Sequence, residues 1–112
     1  MFIPIHRFTF ENSSSGKYGG SITTKNINKS CTISQSTFTN NKAGNGGAIH
    51  SPPAESTRYN GKLFINKTFF EHNIAKYVGH TIYNFIDLSL SNVSIQRSGH
   101  PYIYPISQTL VL

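Results

Sequence analysis

Residues 38–49 read FTNNKAGNGGAI and contain the pattern on which the rest of the chain can be aligned. A phenylalanine stands first, Asn41 follows three residues later, and a Gly-Gly pair precedes Ala48 and Ile49. Glycine permits the backbone angles of a tight bend, and alternating small and apolar residues favour strands over helices. The segment therefore predicts a short strand at Phe38, a bend at the glycines and a further strand that ends at Ile49.

Similar patterns occur on both sides of this segment. The interval from the phenylalanine to the first glycine is nine, eight and nine residues in three copies, and the closing isoleucine always follows that glycine by three. A weaker fourth copy places Ile95 in the phenylalanine position without a Gly-Gly pair. Four copies at a loose period indicate a solenoid. The predicted structural repeat residues are Phe10, Phe38, Phe70, Asn12, Asn41, Asn73, Gly19, Gly20, Gly46, Gly47, Gly79, Ile22, Ile49 and Ile82.

An aliphatic residue precedes each phenylalanine position by five residues: Ile5, Ile33, Ile65 and Leu90. Because successive side chains of a strand point to opposite faces, residues five apart cannot both face one core in a straight strand. The chain must turn between them, near residues 6–8, 34–36, 66–68 and 91–93.

Strands separated by such turns form the cross-section of a right-handed parallel β-helix. We predict about four coils over residues 1–98, with a C-terminal tail or partial cap over residues 99–112. Equivalent residues would stack about 4.8 Å apart, so that phenylalanines stack inside and Asn12, Asn41 and Asn73 form an amide ladder. An antiparallel sandwich is the alternative, since it also predicts frequent turns, but it does not predict repeated apolar offsets.

Phe38-Thr39-Asn40-Asn41 followed by Gly46-Gly47-Ala48-Ile49 resembles the repeat of the chlamydial polymorphic outer membrane proteins. The resemblance covers about residues 1–98 and implies an exported, surface-displayed segment that mediates adhesion. The other copies depart from the motif. The first has Asn12 two residues after its phenylalanine, the third has His80-Thr81 in place of Gly-Ala, and the fourth lacks the glycines.

Charge and cysteine content exclude several classes of protein. The net charge is +6, from ten basic and four acidic residues, but no run or stripe gathers the bases, so we expect no nucleic-acid partner. A single cysteine, Cys31, rules out an internal disulfide framework and is expected to be a small core residue.

The N-terminal residues contain no apolar run long enough for a signal peptide, and no segment approaches the about 20 apolar residues of a membrane span. If the parent is a surface protein, the chain is therefore expected to be a fragment of it, or the product of a gene model that has lost its start.

Catalysis, metals and cofactors are not expected. Among the four acids, Glu11 and Glu71 occupy equivalent corners two coils apart with Thr39 between them, about 10 Å apart, near the upper range for an inverting glycosidase. We interpret that spacing as a coincidence of the repeat. No histidine lies at metal-ligand spacing from another. The alignment leaves room for His50 near His80 in the stack, but we interpret the histidines as exposed polar residues at corners.

The sequence leads to one main hypothesis and two alternatives. The main hypothesis is a non-catalytic β-helix segment of an adhesin-like protein at the cell surface, in the outer membrane or outside the cell. Its partner would be a protein or glycan on another surface, and its open ends would allow self-association. The first alternative is a carbohydrate-binding or degenerate carbohydrate-active module, similar to pectate lyases. The second is a gene remnant with no independent function.

Overall fold

A computed structural model describes residues 3–24, 30–53, 55–56, 61–97 and 102–104. Within these residues the ordered elements are strands, which confirms the predicted all-β class. The strands are β1 (Ile3–His6), β2 (Thr9–Glu11), β3 (Ile22–Thr23), β4 (Ser30–Ser34), β5 (Thr37–Thr39), β6 (Lys42–Asn45), β7 (Ile49–Ser51), β8 (Lys62–Glu71), β9 (Ile74–Val78), β10 (Ile82–Asn84), β11 (Asp87–Gln96) and β12 (Ile103–Tyr104).

The strands form three sheets. The largest has the order β1-β4-β8-β5-β2, with β11 also paired to β8. The second has the order β12-β10-β7-β3, and the third joins β6 to β9. Every strand pair in the described residues is parallel, so the antiparallel sandwich is excluded. Each copy of the repeat contributes strands to the sheets in the same order along the chain.

The register pairs equivalent residues of successive copies. In the largest sheet Phe10 pairs with Phe38, and Phe38 pairs with Phe70, while Ile95 lies opposite Phe70 on the other side. The upstream aliphatic residues align in the same way, with Ile5, Ile33, Ile65 and Leu90 in consecutive strands. The intervals that separate equivalent residues in the sequence are therefore the same intervals that separate paired residues of neighbouring strands.

Turns of positive φ recur at equivalent positions in successive copies. The first column lies inside the four windows where a turn was predicted, and its members are Arg7, Gln35, Lys67 and Asn92, with φ between 49° and 59°. The second column consists of Asn12, Asn40, His72 and Arg97, with φ between 51° and 57°. The third consists of Gly19, Gly46 and Gly79, with φ between 53° and 66°. Most of these turns are made by residues other than glycine.

The two glycines of the Gly-Gly pair have different structural roles. Gly46 has a φ of +66°, which glycine adopts at little cost. Gly47 instead lies so close to the next copy that a Cβ would clash with the carbonyl oxygen of His80. Gly20 meets the carbonyl oxygen of Gly47 in the same way. The second glycine therefore leaves room for the neighbouring backbone.

A β-bulge absorbs the unequal intervals between phenylalanine and glycine. Lys42 and Ala43 pair with Ile74 and Ala75 at one offset, whereas Asn45 pairs with Val78 at an offset larger by one. One extra residue in one strand locally bends it without disturbing the flanking pairs. The core columns on either side thus keep their alignment although the copies differ in length.

The core is a stack of aromatic and aliphatic columns. The Phe38 ring lies 4.7 Å from the Phe10 ring and 4.9 Å from the Phe70 ring, measured between centroids, with interplanar angles of 12° and 14°. Phe38, Phe70, Ile49 and Ile82 are fully buried. Each such side chain contributes about 1.5–3 kcal/mol through burial. Cys31 lies in the same core, as expected, and burial raises the pKa of its thiol.

The described residues of the predicted tail continue a sheet. Ile103 pairs with Ile82 and Tyr104 with Tyr83, and Ile103 is buried against the core. The isoleucine column therefore extends beyond Ile82 into residues 99–112, where no further strand was predicted.

Candidate functional site

An asparagine ladder runs through the second turn. Asn41 and Asn73 are fully buried, and the Asn41 side-chain amide donates to Asn73 Oδ1 over 2.9 Å. The same oxygen accepts the Asn41 backbone N–H over 3.1 Å. Each side chain also donates to the preceding copy: Asn41 to the carbonyl of Phe10 and Asn73 to that of Phe38. The ladder thus satisfies backbone groups that the turn would leave unpaired.

The predicted place of Asn12 in this ladder is wrong. Asn12 aligns with Asn40, since both follow paired strand residues and both have a φ of 57°. The position opposite Asn41 belongs to Ser13, whose backbone N–H donates to Asn41 Oδ1 over 3.1 Å. The alignment matched asparagine with asparagine and was therefore displaced by one residue, because strand pairing aligns positions along the backbone and not residue types. Asn12 is an exposed turn residue.

A hydroxyl ladder at the first turn was not predicted. Ser36 and Thr68 are both buried, and each hydroxyl donates over 2.9 Å to the backbone carbonyl two residues earlier, Ser34 or Asn66. The Ser36 hydroxyl also accepts the backbone N–H of Phe8 over 3.3 Å. The Ser36 and Thr68 side chains therefore form hydrogen bonds with backbone groups at the first turn, as the asparagine side chains do at the second turn.

An aromatic column lies on the outer face of the sheet that contains β7 and β10. It consists of Tyr18, His50, Tyr83 and Tyr104. The His50 ring centroid lies 4.3 Å from that of Tyr18 and 5.3 Å from that of Tyr83, and these two tyrosine rings lie 6.2 Å from each other. The Tyr104 ring lies 6.0 Å from that of Tyr83, and all interplanar angles are 21° or less. The interpretation of His50 as an exposed corner residue is wrong, because His50 is buried and the register places Tyr83 opposite it. The aromatic column could not be read from the repeat because its members differ in residue type.

The rings of the aromatic column pack against each other across successive copies. Tyr18, His50 and Tyr83 are in mutual contact, and Tyr104 contacts Tyr83. His50 retains only 6% of its exposure, while Tyr18 and Tyr104 retain 43% each. Stacked rings of this kind stabilise a fold by about 0.5–1.5 kcal/mol per pair beyond burial.

The stability of the fold is expected to fall in mild acid because of His50. Burial lowers the pKa of His50, whose imidazole titrates near 6.5 in the unfolded chain. The stability that this group contributes is fully present above pH 6.5 and is lost as the pH falls through the lowered folded pKa. The urea concentration at the midpoint of unfolding should therefore decrease as the pH is lowered from 8 to 5.

Two variants isolate this effect of pH. His50→Tyr puts the residue of the next copy into the aromatic column and should make the decrease shallower. His72→Asn is the control, because His72 is exposed at a turn where the preceding copies carry asparagine, and it should leave the decrease unchanged. An unaltered decrease in His50→Tyr would show that other groups cause it.

The two carboxylates singled out in the sequence lie in one register column. Glu11 and Glu71 both pair with Thr39, one on each side, as the alignment predicts. Glu71 forms an ion pair with Arg97, with Nη1 and Oε2 3.3 Å apart. Among the described residues, no cluster of three or more histidine, cysteine or acidic side chains is arranged to hold a metal ion.

A polar groove opens at the second turn between the first two copies. Its volume is about 420 Å³, and its lining consists of Asn12, Ser13, Ser14, Asn40 and Lys42. Two features of the fold form it: the positive φ of Asn12 and Asn40 at the turn, and the parallel bridge between Ser14 and Lys42. No carboxylate belongs to this lining, and Glu11, which precedes Asn12, is not part of it.

The fold and these columns define an all-β protein built from repeated parallel strands. Residues 35–52 match the family model of the Chlamydia polymorphic membrane protein repeat, which confirms the resemblance for that segment. Searches of curated proteins and of solved structures gave no significant match. In the described part of the chain, no helix has the length and apolar character needed to cross a membrane.

Proposed function

We propose that the chain is a segment of a right-handed parallel β-helix in a surface protein, and that it presents an extended binding surface without catalysing a reaction. The observation that carries the proposal is the register, which aligns equivalent residues of successive copies in all three sheets. Connections between parallel strands of one sheet are almost always right-handed, which supports the handedness.

The surface location draws its support from the repeat match. Residues 35–52 resemble a repeat of membrane proteins from Chlamydia, and this segment contains the turn and the glycines that organise the second copy. Several outward positions differ between copies, such as Thr39 beside Glu11 and Glu71, whereas the inward columns repeat. A scaffold with a constant core and a variable exterior is suited to presenting different surfaces to partners.

The partner is proposed to be a protein or glycan on another surface, and a second copy of the chain is a further candidate. Among the described strands, β11 pairs with β8 alone, so no described strand lies along its other edge over residues 87–95. Edges of this kind readily add another strand. The carbohydrate-binding alternative is favoured by the polar groove.

Surface display is tested by labelling intact cells that produce the protein with antibodies against the folded chain. The proposal predicts labelling before permeabilisation and its loss after brief treatment of intact cells with protease. An antibody against a cytoplasmic protein serves as the control for cell integrity. Labelling that requires permeabilisation would contradict the proposed location.

A further inference from the structure

The polar groove gathers side chains whose hydrogen-bonding groups are not used by the fold. Within the described part of the chain, no hydrogen bond or ion pair engages the side chains of Asn12, Ser14, Asn40 or Lys42. By contrast, the neighbouring Asn41 uses its amide fully in the ladder. The groove therefore offers two amides, hydroxyl groups and one ammonium group to a ligand.

The chemistry of this lining selects a class of ligand. An amide both donates and accepts, as a sugar hydroxyl does, so paired asparagines and serines match a polyhydroxylated ligand. Lys42 adds one positive charge that no lining carboxylate neutralises, which favours one negative charge on the ligand. The groove is an open depression of about 420 Å³ with mostly exposed lining residues, so a ligand would contact it along one side and would not be enclosed.

The next copy shows that the fold does not require this lining. The residues equivalent to Asn40 and Lys42 are His72 and Ile74, and Ile74 stands with 43% of its side chain exposed. The turn keeps the same φ with either set of residues. The amides and the ammonium group at the first pair of copies are therefore free to serve binding.

We propose that the polar groove binds an acidic saccharide, a sugar that carries a carboxylate or a sulfate. Lys42 pairs with the anionic group, while Asn12, Asn40 and Ser14 bond to the ring hydroxyls. Because no aromatic ring belongs to the lining, we expect weak binding of a single sugar unit, with a Kd of about 1 mM. The site rests on the proposed surface role, which brings the groove into contact with glycans of other surfaces.

Nuclear magnetic resonance titration of the isotope-labelled chain tests the proposal. The probes are a hexamer of galacturonic acid, a heparin hexasaccharide and neutral maltohexaose. The acidic probes should shift the amide signals of Asn12, Asn40 and Lys42, and whichever acidic probe binds more tightly identifies carboxylate or sulfate as the preferred group. Maltohexaose should bind more weakly than either. The absence of saturable shifts with both acidic probes would overturn the proposal.

Matched variants separate this site from general attraction to a basic protein. Lys42→Gln should weaken binding about tenfold. Lys67→Gln is the control and should leave binding unchanged, because it removes an exposed charge at the first turn of the third copy, where the preceding copy already carries Gln35. Asn12→Gly keeps the positive φ and removes the amide, and Asn92→Gly is its control at another turn.

Equal losses in Lys42→Gln and Lys67→Gln would refute the groove as the site. The labelling of intact cells does not depend on these variants. Failure of saccharide binding and failure of surface display therefore give different results.

Discussion

Replacing Phe38 by alanine is expected to lower the free energy of unfolding by about 3–5 kcal/mol. Phe38 is fully buried, and its ring stacks on Phe10 in the preceding copy and on Phe70 in the following copy. Its removal therefore opens a cavity and eliminates both ring contacts. The loss is comparable to the total stability of many domains, about 5–15 kcal/mol. Equilibrium unfolding in urea, followed by far-ultraviolet circular dichroism, measures it.

Two further variants keep this prediction testable if Phe38→Ala does not fold. Phe38→Leu fills most of the volume and should retain a cooperative transition at a lower urea midpoint. Phe8→Ala removes a phenylalanine that is 56% exposed and should change the stability by less than about 0.5 kcal/mol. Similar losses in Phe8→Ala and Phe38→Ala would contradict the stacked core.

Gly47→Ala is expected to be among the most damaging of single-methyl changes. The added Cβ would clash with the carbonyl oxygen of His80 and lie 2.7 and 2.8 Å from the backbone nitrogen and oxygen of Ile74. Backbone atoms of a paired sheet cannot move aside as a side chain can, so the cost should reach or exceed the about 1–3 kcal/mol of overpacking. Thermal and urea denaturation measure the loss.

The matched control for this variant is Gly16→Ala. No atom lies within 4 Å of a Cβ placed at Gly16, so the same added methyl should be tolerated there. A small stabilisation is the expected direction, because alanine restricts the unfolded chain more than glycine does. If Gly47→Ala were as stable as Gly16→Ala, that result would contradict the close approach of the backbones of the second and third copies.

The columns that face the core could be predicted because burial restricts the residue type. Phenylalanine, or the isoleucine at position 95, recurs at one position, and the aliphatic column of Ile33 and Ile65 recurs five residues earlier. The odd interval then required a turn, and positive φ occurs at Gln35 and Lys67 inside the predicted windows. Identical neighbours above and below a core position leave few alternatives.

The other features depend on position rather than on residue type. Asn12 seemed equivalent to Asn41, but the hydrogen bond from Ser13 shows that the ladder needs only a backbone donor at that place. The aromatic column mixes tyrosine with His50, and β12 follows a copy without a Gly-Gly pair. Outward positions tolerate many residues, so a sequence pattern does not reveal them.

The asparagine ladder has a polarity that the sheets by themselves lack. Asn41 supports the backbone of Phe10 and Ser13, and Asn73 supports that of Phe38 and Asn41, so each asparagine serves its predecessor. An array assembled in this way is vectorial, because a copy draws the polar partners of its corner from the copy that follows. Gene duplication can therefore lengthen it without designing a new junction, provided that each added unit brings its own asparagine.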